Sequence, residues 1–383
     1  MRLFFVTQDF PPETGGIQTY SYEHAKGLAN HLDKVTVIAP GKPEAKDWDA
    51  KQAFSTKRIS ISNTLLFLPL LFKLPIWAKK EDTEVVFHAQ WQTLLPSIVA
   101  KKMGRIKHIV LAAHARELLF NPLGNSILGR WYKKYMQWLL SKADLLLPVS
   151  DYTKQLLADL GVRERKIQVL INGTDPDRFL PQDVSTQRIK HKLEESFVVL
   201  TVTRLVERKG IDTVLKALSV LKNEVPNIRY LVVGEGPDRE KLEQLARTLE
   251  VDHLVTFCGK VPYNELNSYY NLCDVFVMPS KTATPDVEGF GIVFLEANAC
   301  SKPVIGTYSG GIPSAIIHEK TGLLVEEENP KELSQAILQL YNGKDFAQEL
   351  GQQGLHRVQT EANWEALSSQ LYHHLQQLKS PSE

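Results

Sequence analysis

The segment Val275–Ala297, VFVMPSKTATPDVEGFGIVFLEA, holds the pattern that decides the fold. It opens with a short run of β-branched and aromatic residues, passes through a glycine-bearing loop, and ends in an apolar helical pattern that begins near Gly291. A buried strand that leads into a helix is the repeating unit of α/β domains with parallel sheets. The segment therefore predicts one such unit, and the sequence on both sides of it repeats the pattern.

Short apolar runs alternate with longer amphipathic segments along all 383 residues, which predicts doubly wound sheets of parallel strands. The strands predicted in the first half are Leu3–Thr7, Val35–Ala39, Val85–His88, His108–Ala113, Leu145–Val149 and Ile167–Ile171. Those predicted in the second half are Phe197–Val202, Ile228–Val233, Val255–Cys258, Val275–Met278 and Pro303–Gly306. The clearest helical patterns are Ile17–Asn30, Ile211–Asn223, Arg239–Leu249 and Pro330–Tyr341.

A polar, proline-bearing stretch interrupts the alternation between Asn172 and Ser196. We therefore predict a first Rossmann-like domain at 1–175, a linker at 176–195, and a second Rossmann-like domain at 196–360. The amphipathic tail at 361–383 is expected to form a helix that packs back on the first domain. Ligands of open α/β sheets bind beyond the carboxyl ends of the strands, so we expect the site in a cleft between the two domains.

Composition excludes several classes of protein. The 45 Lys and Arg residues balance 44 Asp and Glu residues, whereas nucleic-acid binders usually carry a basic excess. Cys258, Cys273 and Cys300 form no CxxC pair, so we expect neither a disulfide framework nor a structural zinc site. The most apolar stretch, Leu65–Trp77, is interrupted by two prolines and a lysine, and no signal-peptide pattern begins the chain. We predict a cytoplasmic protein, with attachment to the inner face of a membrane left open.

The loop and helix of the opening segment are the strongest candidate for a binding site. A helix N-terminus offers unpaired N–H groups and a partial positive charge, which suit a phosphate. Glu296 lies five residues into that helix, about 7.5 Å along its axis, which is about the separation between a nucleotide's phosphates and its ribose hydroxyls. Glu288, in the loop, can reach beyond the phosphate to the group attached to it. The alternative is a pair of solvated glutamates near a helix end.

Two cations, Arg204 and Lys209, follow the predicted strand Phe197–Val202. A guanidinium and an ammonium together can neutralise a diphosphate without a metal ion, although such side chains are also common on solvated loops. The weaker candidates are Gly15 and Gly16 at a helix start, Gly234 after a strand, His114 at a strand end, and Asn172–Asp175. The glycines and Asn172–Asp175 could equally form turns without a ligand, and His114 could be a buried structural histidine.

Together these residues resemble the retaining nucleotide-sugar glycosyltransferases of family four (glycosyl transferases group 1), which have the GT-B fold. The specific part is the E-x7-E spacing from Glu288 to Glu296, followed by a Pro-Val-Ile-Gly run and by Gly310–Pro313. The resemblance covers nearly the whole chain, with two departures. Ala115 stands where the family's His-Gly-x-Glu pattern has glycine, and Ser314 stands where Gly-Gly-x-Pro is usually followed by glutamate.

The resemblance implies two Rossmann-like domains that face each other across a cleft, and it implies a role for each candidate residue. Arg204 and Lys209 would hold the donor diphosphate, Glu296 the ribose hydroxyls, and Glu288 the transferred sugar. His114 would touch that sugar near its reacting carbon, which makes His114, Glu288, Arg204 and Lys209 the implied catalytic set. The other implied donor-binding residues are Gly15, Gly16, Gly234, Lys260, Val261, Phe290, Gly291 and Ile292.

The implied reaction moves a hexose or a related sugar, with retention, from a nucleoside-diphosphate sugar to a hydroxyl acceptor, without a metal ion or other cofactor. A lipid or a glycan precursor of the cell envelope is the expected acceptor. Leu65–Lys80 and Arg130–Trp138 mix basic with apolar or aromatic residues, which suits either a membrane surface or buried helices with snorkelling lysines. The protein would be a monomer or homodimer, with no nucleic-acid partner. A nucleotide-sugar epimerase, a phosphorylase and a non-catalytic sugar-nucleotide-binding scaffold are the alternatives.

Overall fold

The computed structural model describes residues 1–379 of the chain. The chain divides into two compact α/β units. The first consists of Met1–Asn172 together with the tail that begins at Trp364, and the second is Gly173–Asn363. Within the described residues, each unit contains one sheet of six parallel strands. The predicted α/β architecture is therefore present twice.

The strands of the first unit pair in the order β3-β2-β1-β4-β5-β6, and those of the second in the order β12-β11-β10-β7-β8-β9. The first six are β1 Arg2–Val6, β2 Lys34–Pro40, β3 Ser55–Ile59, β4 Val85–His88, β5 His108–Ala113 and β6 Leu145–Pro148. The second six are β7 Phe197–Val202, β8 Ile228–Val233, β9 Val255–Gly259, β10 Val275–Val277, β11 Val304–Thr307 and β12 Gly322–Val325. Helices cover the sheets, so central strands such as β5 are buried almost throughout and have continuous apolar sequences.

The helices of the first unit are α1 Gly16–Ala29, α2 Ala45–Asp49, α3 Phe67–Glu81, α4 Leu94–Lys102, α5 Ala115–Leu119, α6 Ile127–Lys142, α7 Asp151–Asp159 and α16 Trp364–Gln377. Those of the second unit are α8 Ser185–Lys190, α9 Ile211–Leu221, α10 Arg239–Thr248, α11 Leu266–Leu272, α12 Ile292–Ala299, α13 Ile312–Ala315, α14 Pro330–Asn342 and α15 Lys344–Thr360. Short 3-10 turns lie at Asn63–Leu65, Trp91–Thr93, Glu164–Lys166, Glu207–Lys209 and Asp252–Leu254. The four helices predicted from periodicity are confirmed, with ends displaced by two residues or fewer.

The helix expected in the tail is α16, which packs against α1 in the first unit. The ring of Trp364 lies 5.5 Å from that of His24 and 6.4 Å from that of Tyr20, measured between centroids. Residues 380–383, the last of the predicted tail segment, lie outside the described residues. The stretch 176–195, predicted as a linker, belongs to the second unit and contains α8.

One predicted strand, Ile167–Ile171, is wrong. The segment runs beside β6, and the Gln168 and Leu170 amides donate to the carbonyls of Leu146 and Pro148, at 3.0 Å each. Pro148 has no N–H with which to return a bond, so the ladder stops after a single bridge. Two strands were not predicted. β3 is a polar edge strand without the apolar run used for the others. β12 has a short apolar run, Leu323–Val325 after Gly322, which was overlooked.

Candidate active site

The carboxyl ends of the second unit's strands carry most of the predicted donor-binding residues. Because all six strands are parallel, the loops that follow them emerge at one edge of the sheet. The loop after β7 carries Arg204 and Lys209, and the loop after β10 carries Glu288 and leads into α12 with Glu296. Gly234 follows β8. The structure thus places these five residues on loops or a helix that begin at the same edge.

Glu288 is held by two cations. The Lys209 ammonium donates to Glu288 Oε2, and Arg208 Nη1 lies 3.0 Å from the same oxygen. Arg208 Nε also lies 3.2 Å from Asp286. Burial raises the pKa of Glu288, but the charges and hydrogen bonds of Lys209 and Arg208 more than offset this effect and lower the pKa to about 2. Glu288 is therefore ionised at neutral pH.

Gly210 brings the Lys209 loop against the loop after β10. Its φ of 70° lies in the left-handed region, and a Cβ there would overlap with the carbonyl oxygen of Pro279. The Lys281 amide also donates to the Arg208 carbonyl at 2.7 Å. The loop after β7, which we call the basic loop, and the loop after β10 are therefore fixed to each other by backbone contacts, independently of their side-chain charges.

The glycine pair of the Gly310–Pro313 motif fixes the backbone of Glu288. The Gly311 amide donates to the Glu288 carbonyl at 2.8 Å. A Cβ at Gly310 would lie 2.5 Å from that same carbonyl oxygen, so no larger residue fits without a shift of the loop. This close approach explains why the motif needs glycine at position 310 in this chain.

Glu296 is almost fully buried, with 5% of its surface exposed. It lies on α12, and Tyr270 on α11 donates its hydroxyl to Glu296 Oε2 at 2.6 Å. Burial raises the pKa of Glu296 to about 7, although hydrogen bonds from Tyr270 and Tyr263 and the charge of Arg178 act in the opposite direction. Glu296 thus changes its charge near neutral pH, whereas Glu288 does not.

The other predicted residues of the second unit lie on the loops after β7, β8 and β9 and at the start of α12. Arg204 is exposed, and the Leu205 amide donates to the carbonyl of Glu235 at 2.9 Å, which joins its loop to the turn that begins at Gly234. Lys260 is exposed and Val261 half-buried after the edge strand β9. Phe290 is buried, and Gly291 and Ile292 begin α12, whose first turn leaves amides without intrahelical partners.

The first unit carries the other three predicted residues. Gly15 and Gly16 are exposed at the start of α1. His114 directly follows β5 at the carboxyl edge of its sheet, and its amide donates to Glu117 Oε1 at 3.2 Å. Burial lowers the pKa of His114 to about 4, although a hydrogen bond with the Ala89 backbone partly offsets the effect, so the imidazole is neutral at pH 7.

Two residues at this site were not predicted from sequence. Arg208 shares Glu288 with Lys209, and its only sequence signal is its place in the run Glu207–Lys209. Tyr270 is one of two adjacent tyrosines, and nothing in the sequence indicates which of them faces Glu296, 26 positions away.

No group of three or more His, Cys, Asp or Glu side chains within residues 1–379 is arranged to hold a metal ion. The helices in that part of the chain are each too short or too polar to cross a membrane. Metal independence remains a prediction.

Two family models match the chain in succession. The model described as Glycosyltransferase Family 4 matches residues 14–178, and the model described as Glycosyl transferases group 1 matches residues 183–357. A GDP-mannose-dependent alpha-(1-6)-phosphatidylinositol monomannoside mannosyltransferase of Mycobacterium tuberculosis is 31% identical over 97% of both chains. The protein of the same description from Mycolicibacterium smegmatis is 32% identical over 96% of this chain and 97% of its own.

Solved structures agree on the fold. Anabaena Alr3699/HepE in complex with UDP superposes with a TM-score of 0.82 at 20% identity, over 98% of this chain and 100% of its own. Sucrose-phosphate synthase from Thermosynechococcus elongatus gives 0.81 at 24% identity, over the whole of both chains. The predicted fold class, a GT-B protein with two Rossmann-like domains, is confirmed. With both halves matched in order and relatives above 30% identity along nearly its full length, the chain belongs to the family-four glycosyltransferases, the glycosyl transferases group 1.

Proposed function

We propose that this glycosyltransferase moves mannose from GDP-mannose to a hydroxyl of a lipid-linked acceptor, with retention of the anomeric configuration and without a metal ion. The observation that carries the proposal is the meeting of Lys209 and Arg208 on Glu288 beside the start of α12. The choice of GDP-mannose and of a phosphatidylinositol mannoside as acceptor rests on the two mycobacterial relatives.

The chemistry follows from where charge develops. When the sugar leaves the nucleotide, negative charge grows on the departing phosphate, and fixed positive groups lower the barrier most. Arg204, Lys209 and the first amides of α12 are the groups in this chain that would supply them. The transferred sugar becomes positively charged at its anomeric carbon, and the ionised Glu288 would stabilise it and bind its hydroxyls.

Retention is supported by the state of Glu288. A carboxylate bound by two cations, with a pKa of about 2, is a poor base and a poor nucleophile. The acceptor's proton would therefore pass to the leaving phosphate oxygen as the hydroxyl attacks from the same face. His114, neutral at pH 7, would contact the sugar as an uncharged hydrogen-bonding group.

The test is transfer from a panel of UDP-, GDP- and ADP-sugars to phosphatidylinositol monomannoside, with and without EDTA. We expect GDP release with GDP-mannose, an α-linked product by NMR, and no loss of rate in EDTA. A β-linked product would contradict retention, and a metal requirement would contradict metal independence. An epimerised sugar nucleotide without acceptor would favour an epimerase, orthophosphate-dependent cleavage of a glycan would favour a phosphorylase, and donor binding without turnover would favour the scaffold.

A surface of the first unit supports a membrane-bound acceptor. We define the basic-aromatic face as the exposed side chains of α6: Ile127, Leu128, Trp131, Tyr135 and Trp138, with Lys134 and Lys142. Lys134 Nζ lies 5.7 Å from the centroid of Trp131, and Lys142 Nζ lies 5.8 Å from that of Trp138. The sequence 118–143 contains no Asp or Glu. Aromatic side chains flanked by lysines suit the interface of an anionic membrane.

Helix α3 also exposes apolar side chains beside lysine and tryptophan. Its inner side chains, such as Leu70 and Leu74, pack in the same hydrophobic core as Leu139 and Leu140 of α6. Its outer side carries Phe72, which is 76% exposed, and Ile76, and Lys73 lies 5.8 Å from the Trp77 ring. The inner sides of both helices are thus buried and their outer sides exposed, and we propose that the outer sides contact the lipid.

We expect the double variant Lys134→Gln, Lys142→Gln to bind phosphatidylserine vesicles roughly 30-fold more weakly, since each lysine near an anionic surface contributes about 1 kcal/mol. Co-sedimentation at low and high ionic strength measures this, and screening should weaken binding of the unmodified protein. The matched control, Lys241→Gln with Lys331→Gln, removes two exposed lysines of the second unit. Equal losses in both variants would show that net charge, rather than this face, governs binding.

A further inference from the structure

The side chain of Tyr270 is locked in place by its neighbours. It is fully buried on α11, and its ring lies 5.6 Å from that of Phe179 and 5.7 Å from that of Phe276, between centroids. Rings packed at steep angles on two sides leave the phenol little rotational freedom. Its hydroxyl therefore has a fixed direction, and it points to Glu296 Oε2 at 2.6 Å.

The groups that face Glu296 come from four parts of the second unit. Tyr270 lies on α11, Tyr263 and Arg178 lie on loops, and Cys300 follows the end of α12. The Arg178 guanidinium is placed 4.7 Å over the ring of Tyr263. Tyr270 is thus the fully buried hydrogen-bond donor of this group, because Tyr263 is 42% exposed.

We infer that Tyr270 is a positioning residue for the donor: its hydroxyl holds the Glu296 carboxylate ionised and oriented, so that the carboxylate can accept hydrogen bonds from the two ribose hydroxyls. The inference deepens the proposed function and rests on it, since it uses the ribose-binding role of Glu296. A hydrogen bond to a charged acceptor is stronger than a neutral one, so one phenol can have a measurable effect.

The pH dependence of donor binding follows from the same contact. The pKa of Glu296 is about 7, so lowering the pH below neutrality protonates the carboxyl and removes acceptor capacity for the ribose. Tyr270 donates to the ionised form and therefore lowers this pKa. Without the hydroxyl the pKa rises further, and the acid limb of the profile of kcat/KM against pH should move to higher pH.

The test compares Tyr270→Phe with Tyr230→Phe. Tyr230 is also fully buried in the second unit, and its hydroxyl bonds to Thr201 Oγ1 at 2.8 Å, away from Glu296. Both variants lose one buried hydrogen bond, so their losses of stability should be similar. We expect only Tyr270→Phe to raise the KM for GDP-mannose, by about tenfold, with kcat changed less than about threefold and the acid limb displaced upward.

A second variant covers the possibility that Tyr270→Phe does not fold. Glu296→Gln keeps the shape and an acceptor oxygen for Tyr270, and it should abolish the acid limb because no carboxyl remains to titrate. Unchanged KM and pH profile in Tyr270→Phe, or an unchanged acid limb in Glu296→Gln, would overturn the inference. Calorimetric titration with GDP, UDP and ADP separates the two claims: an unmodified protein that binds none of them refutes the proposed function itself.

Discussion

Replacing Arg204 with alanine should lower kcat about 100- to 1,000-fold, the usual effect of removing one preorganised charge-stabilising group. Arg204 is exposed, and within the described residues 1–379 it forms no ion pair. Its loss should therefore leave the free energy of unfolding within about 0.5 kcal/mol of the unmodified protein. The measurements are kcat and KM for GDP-mannose, together with denaturant unfolding.

Arg204 gives a clearer test than its neighbours. Arg208 and Lys209 both bind Glu288, so removing either would also leave a half-buried carboxylate with one partner fewer. The control is Arg247→Ala, which removes an exposed arginine of α10. If Arg204→Ala kept a kcat close to that of the control, the diphosphate-binding role of Arg204 would be wrong.

Replacing Gly210 with alanine should destabilise the second unit by about 3 kcal/mol or more. About 1–2 kcal/mol comes from the left-handed backbone, and the rest from the overlap of the new methyl group with the Pro279 carbonyl oxygen. Because the neighbour is backbone, relief requires a shift of the loop between β10 and α12. We expect a lower unfolding midpoint, and lower turnover in the molecules that remain folded, because Lys209 would move relative to Glu288.

Gly259→Ala separates the two contributions. Gly259 lies in the same unit with a φ of 72°, but the nearest atom to its added Cβ is 3.7 Å away, at the end of the flexible Arg239 side chain. Only the backbone cost of about 1–2 kcal/mol should remain. Equal destabilisation of the two variants would show that contact with Pro279 does not hold the basic loop in place.

The sequence predicts those elements whose own residues show an apolar run or an amphipathic period. β7 and β8 are mostly apolar, and α9 and α14 have clear amphipathic periods, so each is found near its predicted limits. β3 escapes such reasoning because an edge strand is held by pairing with its neighbour, and its own residues are mostly polar. Ile167–Ile171 fails in the opposite way: it is a mostly apolar run, but Pro148 on the neighbouring β6 lacks the N–H that would continue the ladder.

The residues of the candidate site were likewise predicted only in part. Glu288 and Lys209 were expected to act together, and the structure brings them into contact. Arg208 was missed because loop direction, which depends on contacts such as Gly210 with Pro279, decides whether the cation next to Lys209 also reaches Glu288. Tyr270 was missed because its contact with Glu296 joins two helices whose packing is not encoded locally. The roles of all these residues toward substrate remain predictions.

The return of the tail to the first unit has a consequence for how the protein can be taken apart. Since Met1–Asn172 and the segment from Trp364 fold together, the chain enters and leaves the second unit once each, and that unit is an insertion within the first. A protein cut before Trp364 would lose the aromatic neighbour of Tyr20 and His24 and would expose the side of α1 that α16 covers. The amino-terminal half is therefore not a separable module, and α16 can dock on α1 only after the second unit has been synthesised.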